Sequence, residues 1–198
     1  MESTDWDDRH RQEDRFGNRE PNRFLVATVK RFEPGTALDL AAGQGRNALW
    51  LAEQGWKVTA VDFSAVAVEK GAAFAAAAGA DVTFEQADLL EWRPSIRYDL
   101  VTVVYLQLPI AERHTVWEKA AQAVAPGGHL LLVGHDLRNL EEGYGGPSRE
   151  SVLYTAAEAS GVVGEFLKVE RAETVLRPVE TEEGTRFAID NLVLARRG

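Results

Sequence analysis

The chain predicts an α/β fold, a Rossmann-like doubly wound sheet, on three observations. Short apolar runs alternate with segments of helical periodicity along most of its 198 residues. One of those runs, Thr36 to Ala41, ends in the glycine turn Gly43-Gln44-Gly45 and opens directly into a helical pattern. Asp62, Asp88, Tyr105 and His135 all fall at or just past the C-terminal ends of predicted strands, where open α/β sheets place their ligands.

The elements follow in order. Residues 1–20 are polar and mixed in charge apart from Trp6 and Phe16. They read either as a frayed terminus or as a flap that buries its two aromatics over a ligand. The division taken is an N-terminal flap over 1–20 and a single domain over 21–198. His10 reads as a solvated member of the charged run. Pro21 to Phe32 carries a helical stripe of Phe24, Leu25, Thr28, Val29 and Phe32, with the proline suited to the first turn. After the glycine turn, Arg46 to Gln54 places Ala48, Leu49, Leu51 and Ala52 at helical spacing, and Gly55 sits at the C-cap.

Lys57 to Asp62 is the second strand. Ser64 caps an alanine-rich helix over 65–78, closed by Gly79. Asp81 to Ala87 is the third strand. Tyr98 to Tyr105 is nearly all apolar, as a central parallel strand should be. A helix over Glu112 to Ala125 breaks at Pro126-Gly127-Gly128, and His129 to His135 is the fifth strand. Asp136 to Ser151 reads as a long irregular loop, of a length that is usually functional or disordered. A short helix over 155–160 and an antiparallel pair, Phe166 to Leu176 and Arg186 to Ala195, complete the chain.

Composition narrows the function. A net charge of −9 argues against a nucleic-acid partner. No run of about 18 apolar residues exists, so no membrane span is expected, and the N-terminus lacks the apolar region of a signal peptide. With no cysteine there are no disulfides, thiolate nucleophiles or cysteine-based zinc sites, which fits a cytoplasmic protein. No His/Glu spacing suggests a metal. The expected partner is a small molecule, and the expected oligomer a monomer or homodimer.

The turn brings backbone N–H groups to a ligand at a positive helix end. The spacing Gly43-x-Gly45-x-x-Ala48 also fits a dinucleotide fingerprint, with Asp62 lying 19 residues after Gly43. Three features favour another adenosine cofactor over a nicotinamide. Asp39 stands inside the first strand, where a carboxylate can accept from an ammonium group. Asp88 follows the third strand, where it can accept from an adenine amino group. The chain ends in a hairpin, not in a second nucleotide-binding half. Adenine, ribose and an amino-acid ammonium without phosphate describe S-adenosyl-L-methionine, whose product is S-adenosyl-L-homocysteine.

The stretches LDLAAGQGRNALWLAEQGWKVTAVDFS, QADLLEW, YDLVTVVYLQLP and APGGHLLLVGHD resemble the class I S-adenosylmethionine-dependent methyltransferases, in their small tellurite-resistance-like branch. The resemblance covers roughly residues 6 to 195. It implies a seven-stranded, mostly parallel sheet with an antiparallel last strand. The family usually has glycine and cysteine where Ala41 and Ala42 stand here.

The resemblance also implies site roles. Asp39 meets the methionine ammonium, directly or through water. Ala41, Gly43 and Gly45 let the chain pass close to the cofactor, and Arg46 and Asn47 begin the helix beside it. Asp62 accepts from both ribose hydroxyls, and Phe63 lies against the adenine. Asp88 accepts from adenine N6, and the Leu89 N–H meets a ring nitrogen. Tyr105 borders the methionine end and the acceptor pocket, though it reads equally as core.

The reaction implied is in-line methyl transfer to a small-molecule acceptor. A general base is needed only if the nucleophile carries a proton. His135, with Tyr105, is the catalytic candidate. The competing reading of His135 is a histidine that bonds the following loop. His129 lies at the far end of its strand, and His114 is expected to face solvent. Asn139 to Pro147 and the N-terminal segment are candidate lids. Two other functions fit the same turn: a non-catalytic cofactor-binding sensor or partner subunit, and an NAD-dependent oxidoreductase.

Overall fold

The computed structural model describes Asp7, His10, Arg11 and residues 20–198. Trp6 and Phe16, on which the flap reading rests, lie outside the described residues. Seven strands form one sheet in the order β3-β2-β1-β4-β5-β7-β6. They are β1 Thr36–Leu40, β2 Lys57–Asp62, β3 Val82–Gln86, β4 Tyr98–Val104, β5 Val124–His135, β6 Lys168–Thr181 and β7 Gly184–Arg196. The first five pair in parallel, and β7 runs antiparallel to both β5 and β6. This is the seven-stranded sheet with an antiparallel last strand that the sequence predicts.

The order reverses between β1 and β4, which pair directly. That is the switch point, and its crevice opens at the C-terminal strand ends. The helices flanking the sheet are α1 Arg23–Val29, α2 Arg46–Glu53, α3 Ala65–Ala78, α4 Ile110–Gln122 and α6 Ala156–Gly164, with one turn, α5 Asn139–Glu142, after β5.

Each central strand buries both faces. Leu130 and Leu132 of β5 point to one side, with Trp117 of α4 and Ala159 of α6. Leu131 and Val133 point to the other, with Leu25 of α1 and Leu51 of α2. The two-residue side-chain period explains why the run carries no polar position. Each of these buried leucines contributes on the order of 2 kcal/mol.

Several boundaries differ from the sequence expectation, each for a local reason. Pro21 precedes the N-cap; Asn22 takes that position, its Oδ1 accepting from Phe24 N and Leu25 N. β5 begins at Val124, not His129, because Pro126-Gly127-Gly128 forms an irregularity within the strand: Val124 pairs with Tyr98, and His129 resumes against Leu100. α4 correspondingly ends at Gln122. The segment after β5 is ordered by contacts to β7. Asn139 accepts from Ile189 N at 2.7 Å and donates to Gly145 O at 2.7 Å, and Tyr144 N donates to Phe187 O at 2.9 Å. His114 is half-buried and lies 2.9 Å from Glu158 Oε1, instead of facing solvent.

Candidate functional site

The glycine turn is built by its neighbours. Gly45 is the N-cap of α2 with φ +84°, and a Cβ there would collide with the Phe84 ring. The same ring fills the space beside Gly71 of α3. Glycine at 45 is therefore required by backbone angle and by packing, besides any approach of a ligand. Gly43, at φ +55°, has room for a Cβ, and its N–H donates to Asp62 Oδ2 at 2.8 Å.

Among the described residues only two non-glycine residues have positive φ, Ala41 at +55° and Tyr105 at +59°. They are the first residues beyond β1 and β4, the two strands of the switch point. Such angles cost about 1–3 kcal/mol each, and strain of this kind gathers where ligands are handled. At Ala41 it also gives the reason glycine is usual there in the resembled family.

Asp39 lies in β1, buried and opposite Thr102 of β4. Thr102 Oγ1 donates to its Oδ1 at 2.7 Å, while Oδ2 is buried without a hydrogen-bond partner. Burial pushes the carboxyl up to about 7, against the Thr102 hydrogen bond and the Arg46 charge. A buried carboxylate oxygen without a donor is unfavourable unless a ligand supplies one.

Asp62 ends β2. Its oxygens accept from Gly43 N at 2.8 Å and Ser64 N at 3.0 Å, and burial raises its carboxyl despite both bonds. Each oxygen keeps further acceptor capacity for a hydroxyl. Phe63 beside it is half-buried. Asp88 is exposed and uses one oxygen to accept from Leu90 N at 2.9 Å; Leu89 is buried.

Asn47 has a framework task. It is buried, and its Oδ1 accepts from Asn22 N at 2.8 Å, tying α1 to α2. His10 is not simply solvated. It is half-buried, with Nδ1 3.2 Å from Gln44 Nε2 and its carbonyl accepting from Lys70 Nζ at 2.6 Å. Asp7 accepts from Ser64 Oγ at 2.5 Å at the start of α3. These N-terminal residues thus lie against the glycine turn and the helix after Asp62.

A cavity of about 710 Å³ opens beside the switch point, and Arg46, Tyr105, His135, Gly146 and Arg177 are among its lining residues. It brings together three of the sequence-predicted site residues, Arg46, Tyr105 and His135. Two further residues, marked by no sequence motif, complete this wall: Arg177 of β6 lines it, and Asp190 of β7 lies behind it. Asp190 is fully buried. It accepts from Tyr105 Oη at 2.7 Å and from Arg177 Nε at 2.8 Å, and its Oδ1 is 3.0 Å from His135 Nδ1. Tyr105 and His135 stack at 4.6 Å, with the Arg177 guanidinium 5.6 Å from the tyrosine ring centre. Burial works to raise the Asp190 carboxyl, but its three donors together hold it below the ordinary carboxylate range. Burial pushes the Tyr105 phenol far up, so it stays protonated. The sequence signal for Asp190 was a lone acid in an apolar strand, the same feature that marked Asp39.

Comparison with known proteins agrees with this fold. A model of a methyltransferase domain matches residues 37–128, from β1 into β5. No curated protein sequence matches the chain. Among solved structures, one described under the conversion of a disulfide bond into a thioacetal group during echinomycin biosynthesis is similar at 24% identity. That match covers 98% of this chain and 92% of the other, with a TM-score of 0.75. TehB from Haemophilus influenzae is similar at 18% identity over 89% of this chain and 62% of its own, with a TM-score of 0.74. A SAM-dependent methyltransferase from Methanosarcina mazei is similar at 16% identity over 90% and 98%, with a TM-score of 0.67. The chain has the class I S-adenosylmethionine-dependent methyltransferase fold. Among the described residues no helix is long and apolar enough to cross a membrane.

Proposed function

We propose that the protein is an S-adenosylmethionine-dependent methyltransferase acting on a small-molecule acceptor. The observation that carries this reading is Asp39: a buried carboxylate with one oxygen lacking a donor, in the first strand of the switch point and four residues before the glycine turn. An amino-acid ammonium supplies the missing donor. A nicotinamide dinucleotide has no ammonium to place there, and its pyridinium nitrogen carries no N–H to donate.

When bound, the cofactor supplies an electrophilic methyl on a good leaving group. The protein's task is then to align the acceptor and exclude water. Asp39 holds the ammonium, Asp62 offers acceptor oxygens to the ribose, and the exposed oxygens of Asp88 face the adenine edge against Phe63 and Leu89. Arg46, Tyr105 and His135 line the acceptor cavity. His10 against the glycine turn and Asp7 against Ser64, just past Asp62, support a role for the N-terminal segment as a cover for the nucleoside. The tellurite-resistance-like branch rests on the sequence motifs, since fold likeness to TehB is matched by the other structures. A cytoplasmic location, and a monomer or homodimer, complete the reading.

The test is product formation. The protein is incubated with methyl-labelled S-adenosylmethionine and a panel of small hydroxyl, thiol, amine and oxyanion acceptors. Labelled product with one S-adenosylhomocysteine per methyl transferred establishes the enzyme. Cofactor binding without transfer to any of them favours the sensor reading.

A further inference from the structure

His135 is the last residue of β5, and Asp190 is its direct partner across the antiparallel pairing with β7. Tyr105 is anchored beside them by its N–H to Val133 O at 2.8 Å. Arg177 reaches the same carboxylate from β6. Two neighbouring strands, an edge strand and a strained strand end thus converge on one buried acid.

The hydrogen-bond roles follow from charge. Asp190 is ionised and can only accept. Tyr105 Oη and Arg177 Nε both donate to Oδ2, which leaves Oδ1 for His135. Nδ1 of the neutral imidazole must then carry the hydrogen, and Nε2 holds the lone pair. Nε2 has no protein hydrogen-bond partner among the described residues, and the ring forms part of the cavity wall. A histidine whose role was to bond the following loop would use that loop as its partner. Here the partner is in β7, and Gly146 of the loop packs on the ring, where a Cβ would press on Nδ1 and Cε1 at 3.1 and 3.2 Å.

We infer that Asp190 is a positioning residue that fixes His135 in its Nδ1–H tautomer, so that Nε2 acts as base toward a hydroxyl or thiol acceptor in the cavity. The inference rests on the methyltransferase reading of the site. In the step it describes, the acceptor oxygen or sulfur forms a bond to the methyl carbon. The carbon–sulfur bond of the sulfonium breaks, and its electron pair stays on the sulfur as a neutral thioether. The acceptor proton passes to Nε2, and Asp190 stabilises the imidazolium until that proton leaves to solvent. Tyr105 does not compete as base, because its hydroxyl hydrogen is held on Asp190.

The test uses the whole, ligand-free protein. Long-range ¹⁵N–¹H correlation at about pH 8 assigns the His135 tautomer, and mass spectrometry follows acylation of His135 by diethyl pyrocarbonate, which needs a free imidazole lone pair. Wild type is expected as the Nδ1–H form, with His135 acylated. In Asp190→Asn, Tyr105 and Arg177 hold the amide oxygen at the Oδ2 position and turn the NH2 toward Nδ1. That forces the Nε2–H form, and acylation is expected to fall tenfold or more. An Nε2–H tautomer in wild type overturns the inference, even if the variant does not fold. So does a folded variant with unchanged tautomer and acylation rate. Calorimetric binding of S-adenosylhomocysteine to wild type separates the two layers: binding with the wrong tautomer ends only this inference, and no binding ends the methyltransferase reading.

Discussion

Asp39 and Thr102 are register partners across β1 and β4, and the threonine hydroxyl is the one hydrogen bond the buried carboxylate makes within the described residues. Thr102→Val keeps the shape and removes that donor. At about pH 8 the variant is expected to lose about 1–3 kcal/mol of stability, the cost of leaving a buried acceptor unpaired. At about pH 5.5 the loss should shrink, because a protonated Asp39 has less need of the donor. Denaturant melts at the two pH values check this, and an equal loss at both would count against it.

The raised Asp39 carboxyl makes stability depend on pH with a definite sign. Its native value of about 7 lies above the unfolded value. The contribution is therefore fully present below the ordinary carboxylate range and is lost as pH rises through about 7. Ligand-free wild type should lose stability over that interval relative to Asp39→Asn, which lacks the slope. Asp190 acts in the opposite direction: its carboxyl is lowered, so its contribution is present above the ordinary carboxylate range and lost in acid.

The same shift predicts proton release on cofactor binding. At about pH 6 the ammonium of S-adenosylhomocysteine is already formed and Asp39 is mostly protonated. Pairing the two requires Asp39 to ionise, releasing about one proton. Calorimetry in buffers of different ionisation enthalpy reads the number directly. Asp39→Asn should release none and bind about 10–100-fold more weakly.

Gly45 is fixed by Phe84. Gly45→Ala meets both a left-handed backbone and the aromatic ring, and should cost about 2–4 kcal/mol. Gly43→Ala has only the backbone term and should cost about 1 kcal/mol. Adding Phe84→Leu to Gly45→Ala should recover on the order of 1 kcal/mol relative to the sum of the single changes. Additive losses would show that the ring does not determine the glycine.

Much of this site was legible in the sequence because its carriers are local. The β1 acid, the glycine turn and the β2 acid lie within 24 residues of one another, and strand–turn–helix order places them without reference to the rest of the chain. The doubly wound sheet follows from alternation in the same way. Asp190 and Arg177 were not legible. Their role depends on which residue of β7 faces His135, a register set by the long β6–β7 hairpin and not by local pattern. Asn47, which the resemblance sets beside the ligand, also binds Asn22, 25 residues earlier, and that framework bond has no local signal. Proline and glycines at 126–128 read as a break in the sequence, and pairing to β4 on both sides of them carries β5 through.

Contacts of His10 with the glycine turn and of Asp7 with the start of α3 predict that cofactor guards the N-terminal segment. Trypsin cleavage within residues 1–20 should slow several-fold with saturating S-adenosylhomocysteine. Cleavage after Arg138 or Arg149 should not respond, since the β5–α6 loop is already fastened to β7 by Asn139 and Tyr144. Cleavage of the N-terminal segment at an unchanged rate would remove its role as a cover.

The most direct measurement is a calorimetric titration of S-adenosylhomocysteine, beside NAD, into wild type and Asp62→Ala, with thermal melts confirming that the variant is folded. The expected result is one site per chain with Kd on the order of micromolar. That binding should be lost in the variant, and NAD should give no heat. No binding of S-adenosylhomocysteine to wild type, or binding of NAD in its place, would contradict the assignment of this crevice to S-adenosylmethionine.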